Sequence, residues 1–158
     1  MEKIGASELI INSDGSVFHL HLKPEELADT VILVGDPGRV ELVSSFFDTV
    51  EVRKASREFV SATGTYKGCR MTVLSTGIGC DNLDIVMTEL DALVNIDFSS
   101  RQVKENLRSL RVLRIGTSGA IQPDIPVGSQ RRLDALEWLV SLEPQTVGIE
   151  NQSVARDS

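Results

Sequence analysis

The residues best suited to chemistry lie in Leu113-Arg114-Ile115-Gly116-Thr117-Ser118-Gly119-Ala120. An apolar run ends there in two glycines that bracket two hydroxyls, with an arginine close to the run's end. Glycines let backbone N–H groups approach a ligand closely, and Thr117 and Ser118 add small donors. Arg114 supplies a planar cationic fork matched to an oxyanion. This set can hold an anion, with phosphate the first candidate. The plainer alternative is a strand-to-loop turn with a solvated arginine. A second set is Gly35-Asp36-Pro37-Gly38-Arg39. Asp36 reads as an N-cap and Pro37 as the first helical residue, so Gly35 lies between a strand end and a helix start. Free amides and the helix dipole favour an anion at such a place. Arg39 falls in the first helical turn, where the dipole disfavours a cation. It therefore calls for a partner, either Asp36 or a bound anion.

Two further sets are weaker. Gly77-Ile78-Gly79 has the first two glycines of a dinucleotide fingerprint. The third position is Asn82 and several strands precede the motif, which argues against nicotinamide or flavin. His19 and His21 stand two apart in Val17-Phe18-His19-Leu20-His21-Leu22. No Cys, Asp or Glu lies near enough in sequence to complete a metal site. A solvated histidine face remains, or a place in a site built from distant parts of the chain.

The elements that must position these groups follow from apolar periodicity. Thr30–Val34 is a continuous apolar run, which predicts a parallel strand buried on both faces. A helix with Val40, Val43 and Phe47 on one stripe and Phe46 beside it follows. Residues 49–53 alternate as a strand, and two runs flanking the turn chemistry of residues 63–68 predict a hairpin. The second run ends at Ser75 and opens a helix carrying Leu83, Val86, Met87, Leu90 and Val94. Residues 17–22 alternate too, predicting an extended segment with Phe18, Leu20 and Leu22 on one face. Residues 96–110 are polar and read as a surface helix or an insertion. Val112 to Ile115 reads as a buried strand. Residues 121–128 form an irregular loop fixed by Pro123 and Pro126, and residues 130–142 have helical spacing. This order is an α/β plan with a mostly parallel or mixed sheet. Gly35, Gly77 with Gly79, and Gly116 with Gly119 all follow strand ends. Ligands in such sheets bind outside the carboxyl ends of strands, so the three glycine loops are expected to converge.

Whole-chain properties narrow the class. At 158 residues the chain is one domain's worth, with 41% apolar and 25% charged residues. A net charge of −7 argues against a nucleic-acid partner, while leaving room for a small anion held by placed arginines. Cys69 and Cys80 give neither a disulfide framework nor a zinc pattern, so a reduced, cytoplasmic protein is expected. No apolar run approaches a membrane span, and the first residues lack a signal-peptide core.

Taken together, these motifs resemble the nucleoside phosphorylases, the uridine-cleaving members most closely. The resemblance rests on Val17-Phe18-His19-Leu20, Gly35-Asp36-Pro37-Gly38-Arg39-Val40, Arg57-Glu58-Phe59, Leu74-Ser75-Thr76-Gly77-Ile78-Gly79, Glu89-Leu90, and Arg114 through Pro123, and it covers about residues 16–129 in order. It implies a three-layer α/β fold with a mixed central sheet and reversible phosphorolysis. In that pentosyl transfer, phosphate attacks the anomeric carbon of a nucleoside to give ribose 1-phosphate and free base. It implies that Gly35, Arg39, Arg114 and Thr117 bind phosphate, with Arg114 and Thr117 as the catalytic pair, and that Arg57 reaches the same phosphate from a neighbouring subunit. It further implies that His19 reaches the ribose 5′-hydroxyl of the neighbour's site, and that Thr117, Ser118 and Gly119 line the ribose and base. Glu58, Ile78 and Asn82 match a monovalent-cation position, for K+, in some members. Asn82 replaces a serine there. Phosphate is a co-substrate, no organic cofactor is implied, and a homo-oligomer is, since the site is shared.

The resemblance stops near Ser129. The base-reading and ribose-reading residues of the family have no counterpart in residues 130–158, so a truncated or frame-shifted chain is expected: an arm over residues 1–15, the phosphorylase-like half over 16–129, and a divergent helical tail over 130–158. Alternatives in function are a non-catalytic phosphate-binding remnant or oligomer partner, and a nucleosidase of the same fold that uses water. The arginines at 39, 57 and 114 weigh against the nucleosidase, because water needs no such clamp.

Overall fold

The computed structural model describes residues 3–117 and residue 124. Its centre is a five-stranded mixed sheet in the order β2-β3-β4-β1-β7. The strands are β1 (Thr30–Val34), β2 (Thr49–Ser56), β3 (Phe59–Tyr66), β4 (Cys69–Ser75) and β7 (Arg111–Ile115). A two-stranded ribbon, β5 (Ile96–Asp97) with β6 (Gln102–Val103), stands apart from it. β1 is parallel to both β4 and β7, whereas β2, β3 and β4 form antiparallel hairpins.

Helices cover the two faces of the sheet. Ile32 and Val34 of β1 face α1 (Pro37–Ser44), packing with Val40, Val43, Ala62 and Val73. Val31 and Leu33 face the opposite way, toward Val86, Leu90, Leu93 and Val94 of α2 (Cys80–Asn95). A strand sandwiched in this way must be apolar at successive positions, which is why β1 reads as a continuous run. The α1 start matches its sequence signals. Asp36 caps it by accepting a 2.6 Å hydrogen bond from the Gly38 amide, and Pro37 occupies the first turn.

Three expectations are corrected. Residues 17–22 form a turn instead of an extended strand. The His21 amide donates to the Val17 carbonyl, the Val17 amide to the Leu22 carbonyl, and His21 has a positive φ. Val17, Leu20 and Leu22 are buried while Phe18 is half exposed, so the apolar face runs at turn spacing. Residues 96–110 hold the β5–β6 ribbon, with the Asp97 carboxylate accepting from the Ser99 hydroxyl and the Ser99 and Ser100 amides. Those hydrogen bonds lower the Asp97 pKa to about 2. The β7 strand pairs only with β1, and Leu113 and Ile115 are exposed, because it forms the edge of the described sheet. The first residues are pinned as well. The Arg101 guanidinium donates to the carbonyls of Ile4, Gly5 and Leu9. The loop and helix expected over residues 121–142, and the boundary at residue 130, lie outside the described residues.

Gly64 has the tightest backbone approach in the sheet. It pairs with Val50 where the β2–β3 register slips, and a Cβ there would lie 2.1 Å from the Thr49 carbonyl oxygen and 2.7 Å from Phe47 Cδ2. Gly64→Ala must therefore spread the bulge or displace the Phe47 ring. A loss of about 1–3 kcal/mol is expected in urea unfolding. A midpoint equal to that of the unaltered protein would refute this contact.

Candidate functional site: an anion cradle at three strand ends

The β4, β1 and β7 strands run parallel and end level with one another: Val34 is in register with Ser75 on one side and with Ile115 on the other. The glycine loops therefore emerge side by side. The Thr76 amide donates to the Val34 carbonyl at 2.8 Å. A Cβ on Gly35 would have one neighbour within 4 Å, the Gly77 carbonyl oxygen at 3.9 Å, so the Gly35 and Gly77 loops lie close together with room on the side-chain side of Gly35. Arg114, near the end of β7, reaches across β1 and donates from Nη1 to Thr76 Oγ1 at 3.2 Å. Thr76 is buried, and its own hydroxyl proton has the Gly77 and Val34 carbonyls as acceptors. Thr76 thus orients the guanidinium without neutralising it. Arg39, partly buried in the first turn of α1, makes no ion pair with Asp36, whose carboxylate is taken by the Gly38 amide. Among the described residues the Arg39 and Arg57 guanidiniums have no hydrogen-bond or ion-pair partner. Oriented or unpaired cations near strand ends and a helix start make a candidate site for an oxyanion.

The Arg57-Glu58 turn joins β2 to β3 at this same end of the sheet. Ser75 fastens it: its hydroxyl donates to the Glu58 carbonyl at 2.6 Å and accepts from the Val60 amide at 2.8 Å. The turn has two residues between the paired Ser56 and Phe59, and Arg57 takes φ 54°, a conformation usually given to glycine. Arg57 is exposed, so packing does not explain the arginine. In Arg57→Gly, relief of about 1–2 kcal/mol of left-handed strain outweighs roughly 0.5–1 kcal/mol of added chain entropy. A net gain in stability of about 0.5–1 kcal/mol is expected in thermal unfolding; a loss would show that the turn is unstrained.

Glu58 also packs against Gly77, whose φ of 66° is one that L side chains rarely adopt. A Cβ there would fall 3.0 Å from Glu58 Cγ and 2.8 Å from Asn82 Nδ2. Asn82 Nδ2 donates to the Ile78 carbonyl at 3.3 Å. Glu58, Ile78 and Asn82 are thereby gathered around one glycine. A neighbouring group of residues surrounds His19. Its ring stands edge-on to Phe18 at 4.9 Å and to Phe59 at 6.2 Å, and Phe59 follows the Arg57-Glu58 turn directly. The buried Glu89 carboxylate holds His19 from below: Oε1 lies 2.7 Å from Nδ1, and the two oxygens accept from the His19 and Leu20 amides.

The site residues therefore fall into two groups at one end of the sheet. Gly35 and Arg114 stand at the parallel strand ends, with Arg39 in the first turn of the helix that follows Gly35 and Thr117 two residues past the end of β7; His19 and the Arg57-Glu58 turn flank Phe59. Ser118 and Gly119 lie outside the described residues. Sequence reasoning passed over Thr76 as a functional residue and quoted Glu89 only as part of a motif. The available signal for Glu89 was an acid in line with Val86 and Leu93 on the buried stripe of α2.

A family model described as the phosphorylase superfamily matches residues 29–130, more than half of the chain and all of the cradle. The chain belongs to the phosphorylase superfamily. Among superfamily relatives, the uridine phosphorylase of Thermococcus kodakarensis is 34% identical over 155 residues, covering 98% of this chain and 51% of that protein. A DeoD-type purine nucleoside phosphorylase of Geobacillus stearothermophilus is 34% identical over 110 residues, covering 69% of this chain and 42% of that protein. The chain thus spans about half the length of the curated relatives it matches. Among solved superfamily structures, a Trypanosoma brucei nucleoside phosphorylase described as showing uridine phosphorylase activity superposes with a TM-score of 0.69 at 39% identity, over 75% of this chain and 41% of that one. A uridine phosphorylase from Vibrio fischeri gives a TM-score of 0.59 at 28% identity, over 73% and 43%. The mixed sheet between two helical layers is accordingly the nucleoside-phosphorylase fold, and the relatives are pentosyltransferases.

Proposed function

We propose that this chain carries the phosphate half of a nucleoside phosphorylase site acting on uridine or a related nucleoside. The observation that carries this reading is that the glycine loops leave three parallel strand ends side by side, with Arg114 bonded across β1 to Thr76 and Arg39 in the first turn of the helix that follows Gly35. Phosphate seated there attacks the anomeric carbon of a nucleoside lying over Thr117, Ser118 and Gly119. The arginines hold the dianion in line and balance charge as the glycosidic bond to the base breaks, giving ribose 1-phosphate and free base. Arg57 and His19 serve a neighbouring copy's site, as the family resemblance implies, which makes the working unit a homo-oligomer.

Glu58, the Ile78 carbonyl and Asn82 are the oxygen donors for the monovalent cation, K+, that the family resemblance suggests. Such an ion would be held by these oxygens alone, and no step above runs through it. Two free, exposed cysteines accord with a cytoplasmic setting in nucleoside salvage. No helix among the described residues is long and apolar enough to cross a membrane.

The test is release of uracil from uridine by the purified protein with and without phosphate, with inosine as the purine arm, since a purine enzyme matches at the same identity as the uridine enzyme. Phosphate-dependent uracil release supports the proposal, and phosphate-dependent hypoxanthine release moves it to purines. Cleavage indifferent to phosphate would replace it with a nucleosidase. A phosphate-induced rise in Tm without turnover would mark a phosphate-binding remnant or oligomer partner.

A further inference from the structure

Glu89 is a charged side chain on the buried face of α2, and the phosphate chemistry does not use it. It is only 7% exposed and 70 residues from its partner in sequence. Its contacts define its hydrogen-bonding state. The His19 amide donates to Oε1 at 2.9 Å and to Oε2 at 3.1 Å, and the Leu20 amide donates to Oε2 at 2.9 Å. Backbone N–H groups can only donate, so both oxygens are committed as acceptors. An ionised carboxylate can only accept, so His19 Nδ1, 2.7 Å from Oε1, then donates to it, and in a neutral imidazole that places the single proton on Nδ1 and leaves Nε2 bare. Phe18 and Phe59 flank the ring edge-on, Nε2 has no hydrogen bond among the described residues, and the side chain is 29% exposed.

We infer that Glu89 is a positioning residue that fixes the His19 imidazole in the Nδ1–H tautomer and so presents Nε2 as an acceptor for a hydroxyl of the ligand. The ligand half of this statement rests on the proposed function; the tautomer half rests on the contacts alone. A sugar hydroxyl satisfies such an acceptor by giving it its proton. A ligand with hydrogen in place of that hydroxyl leaves Nε2 unpaired as it desolvates, so the clamp converts one ring orientation into selectivity for the hydroxylated sugar.

Glu89→Gln separates these ideas. The Leu20 amide still requires an oxygen, so the new side-chain amide keeps its oxygen toward Leu20 and turns its NH2 toward Nδ1. Nδ1 then becomes an acceptor and the ring proton moves to Nε2, as when a triad aspartate is replaced by its amide. The chain has two histidines, His19 and His21, so 15N-histidine spectra are readily assigned with a His21→Gln variant. In the neutral ring of the unaltered protein, a protonated Nδ1 and a bare Nε2 are expected for His19, and the reverse in Glu89→Gln. A mixed or Nε2–H ring in the unaltered protein overturns the inference whether or not the variant folds, as does a tautomer unchanged by the substitution. With turnover, the kcat/KM preference for uridine over 5′-deoxyuridine should fall about tenfold in Glu89→Gln, one hydrogen bond's worth. An unchanged preference despite an inverted tautomer overturns the hydroxyl assignment. If no nucleoside is cleaved, the functional reading fails while the spectra still decide the role of Glu89.

Discussion

Replacing Arg114 by alanine is expected to lower kcat/KM for phosphate-dependent nucleoside cleavage by about 10²–10³, on the order of 3 kcal/mol of transition-state stabilisation. The size follows from how the guanidinium is held. Its Nη1 is fixed on Thr76 Oγ1 at 3.2 Å while Nε and Nη2 have no partner among the described residues, so the fork faces the cradle already oriented. An oriented donor strengthens as charge redistributes in the transition state and needs no reorganisation then. Truncation should cost little stability, within about 0.5 kcal/mol, because Arg114 is exposed and Thr76 keeps the Gly77 and Val34 carbonyls as acceptors. Activity and Tm thus separate, which distinguishes a lost ligand contact from a damaged fold. The same variant should lose the phosphate-induced rise in Tm, worth about 2.7 kcal/mol at a hundred times Kd in the unaltered protein. Arg114→Lys restores charge without the planar fork and should recover only part of the rate. A fall smaller than about tenfold in Arg114→Ala would remove Arg114 from the cradle.

The cradle was legible in the sequence because its parts are local signals repeated three times. β1 lies between β4 and β7 with helices on both faces, so it had to be apolar throughout, and the glycines that follow each strand mark where the backbone turns at the strand ends. Topology then made three separate motifs one place: Val34 is level with both Ser75 and Ile115. What the sequence did not show depends on partners far along the chain. Glu89 looks like an acid lost among Val86, Leu90 and Leu93 until the turn of residues 17–22 brings two amides and an imidazole to it. The alternation of Val17, His19 and His21 with Phe18, Leu20 and Leu22 predicts an extended segment there, whereas burial follows Val17, Leu20 and Leu22. Likewise the apolar residues of β7 signal a strand, but whether a strand ends a sheet depends on its neighbours. Thr76 escaped notice because a threonine beside two glycines carries no mark of the arginine, 38 residues later, that it orients.

The largest stability loss is expected at Phe59, where fold and site meet. Its side chain is 2% exposed in a cluster with Val17, Leu20, Leu22, Leu74, Val86 and Leu90, and it is one of the largest fully buried groups. Phe59→Ala removes the ring from a space walled by the sheet, α2 and the 17–22 turn. The sheet wall is held by the Ser56 pairing and by Ser75, so it cannot collapse inward to fill the gap. A cost of about 3–5 kcal/mol is therefore expected, at the upper end for a site that relaxes poorly. Regained side-chain entropy offsets only about 1 kcal/mol of the gross transfer term. Against a total of roughly 5–15 kcal/mol, the variant stays folded in the cold but shifts its denaturation midpoint substantially. Phe59→Leu, which keeps most of the volume, should cost less than half as much. The local effect is as informative as the global one, since the His19 ring loses its edge contact at 6.2 Å while the Glu89 clamp remains. Linewidths of the His19 ring signals should broaden in Phe59→Ala at temperatures well below its midpoint, with Arg114 and Thr76 unaffected. A loss below about 2 kcal/mol would mean that the 17–22 turn closes over the gap, and that the histidine is positioned by Glu89 alone.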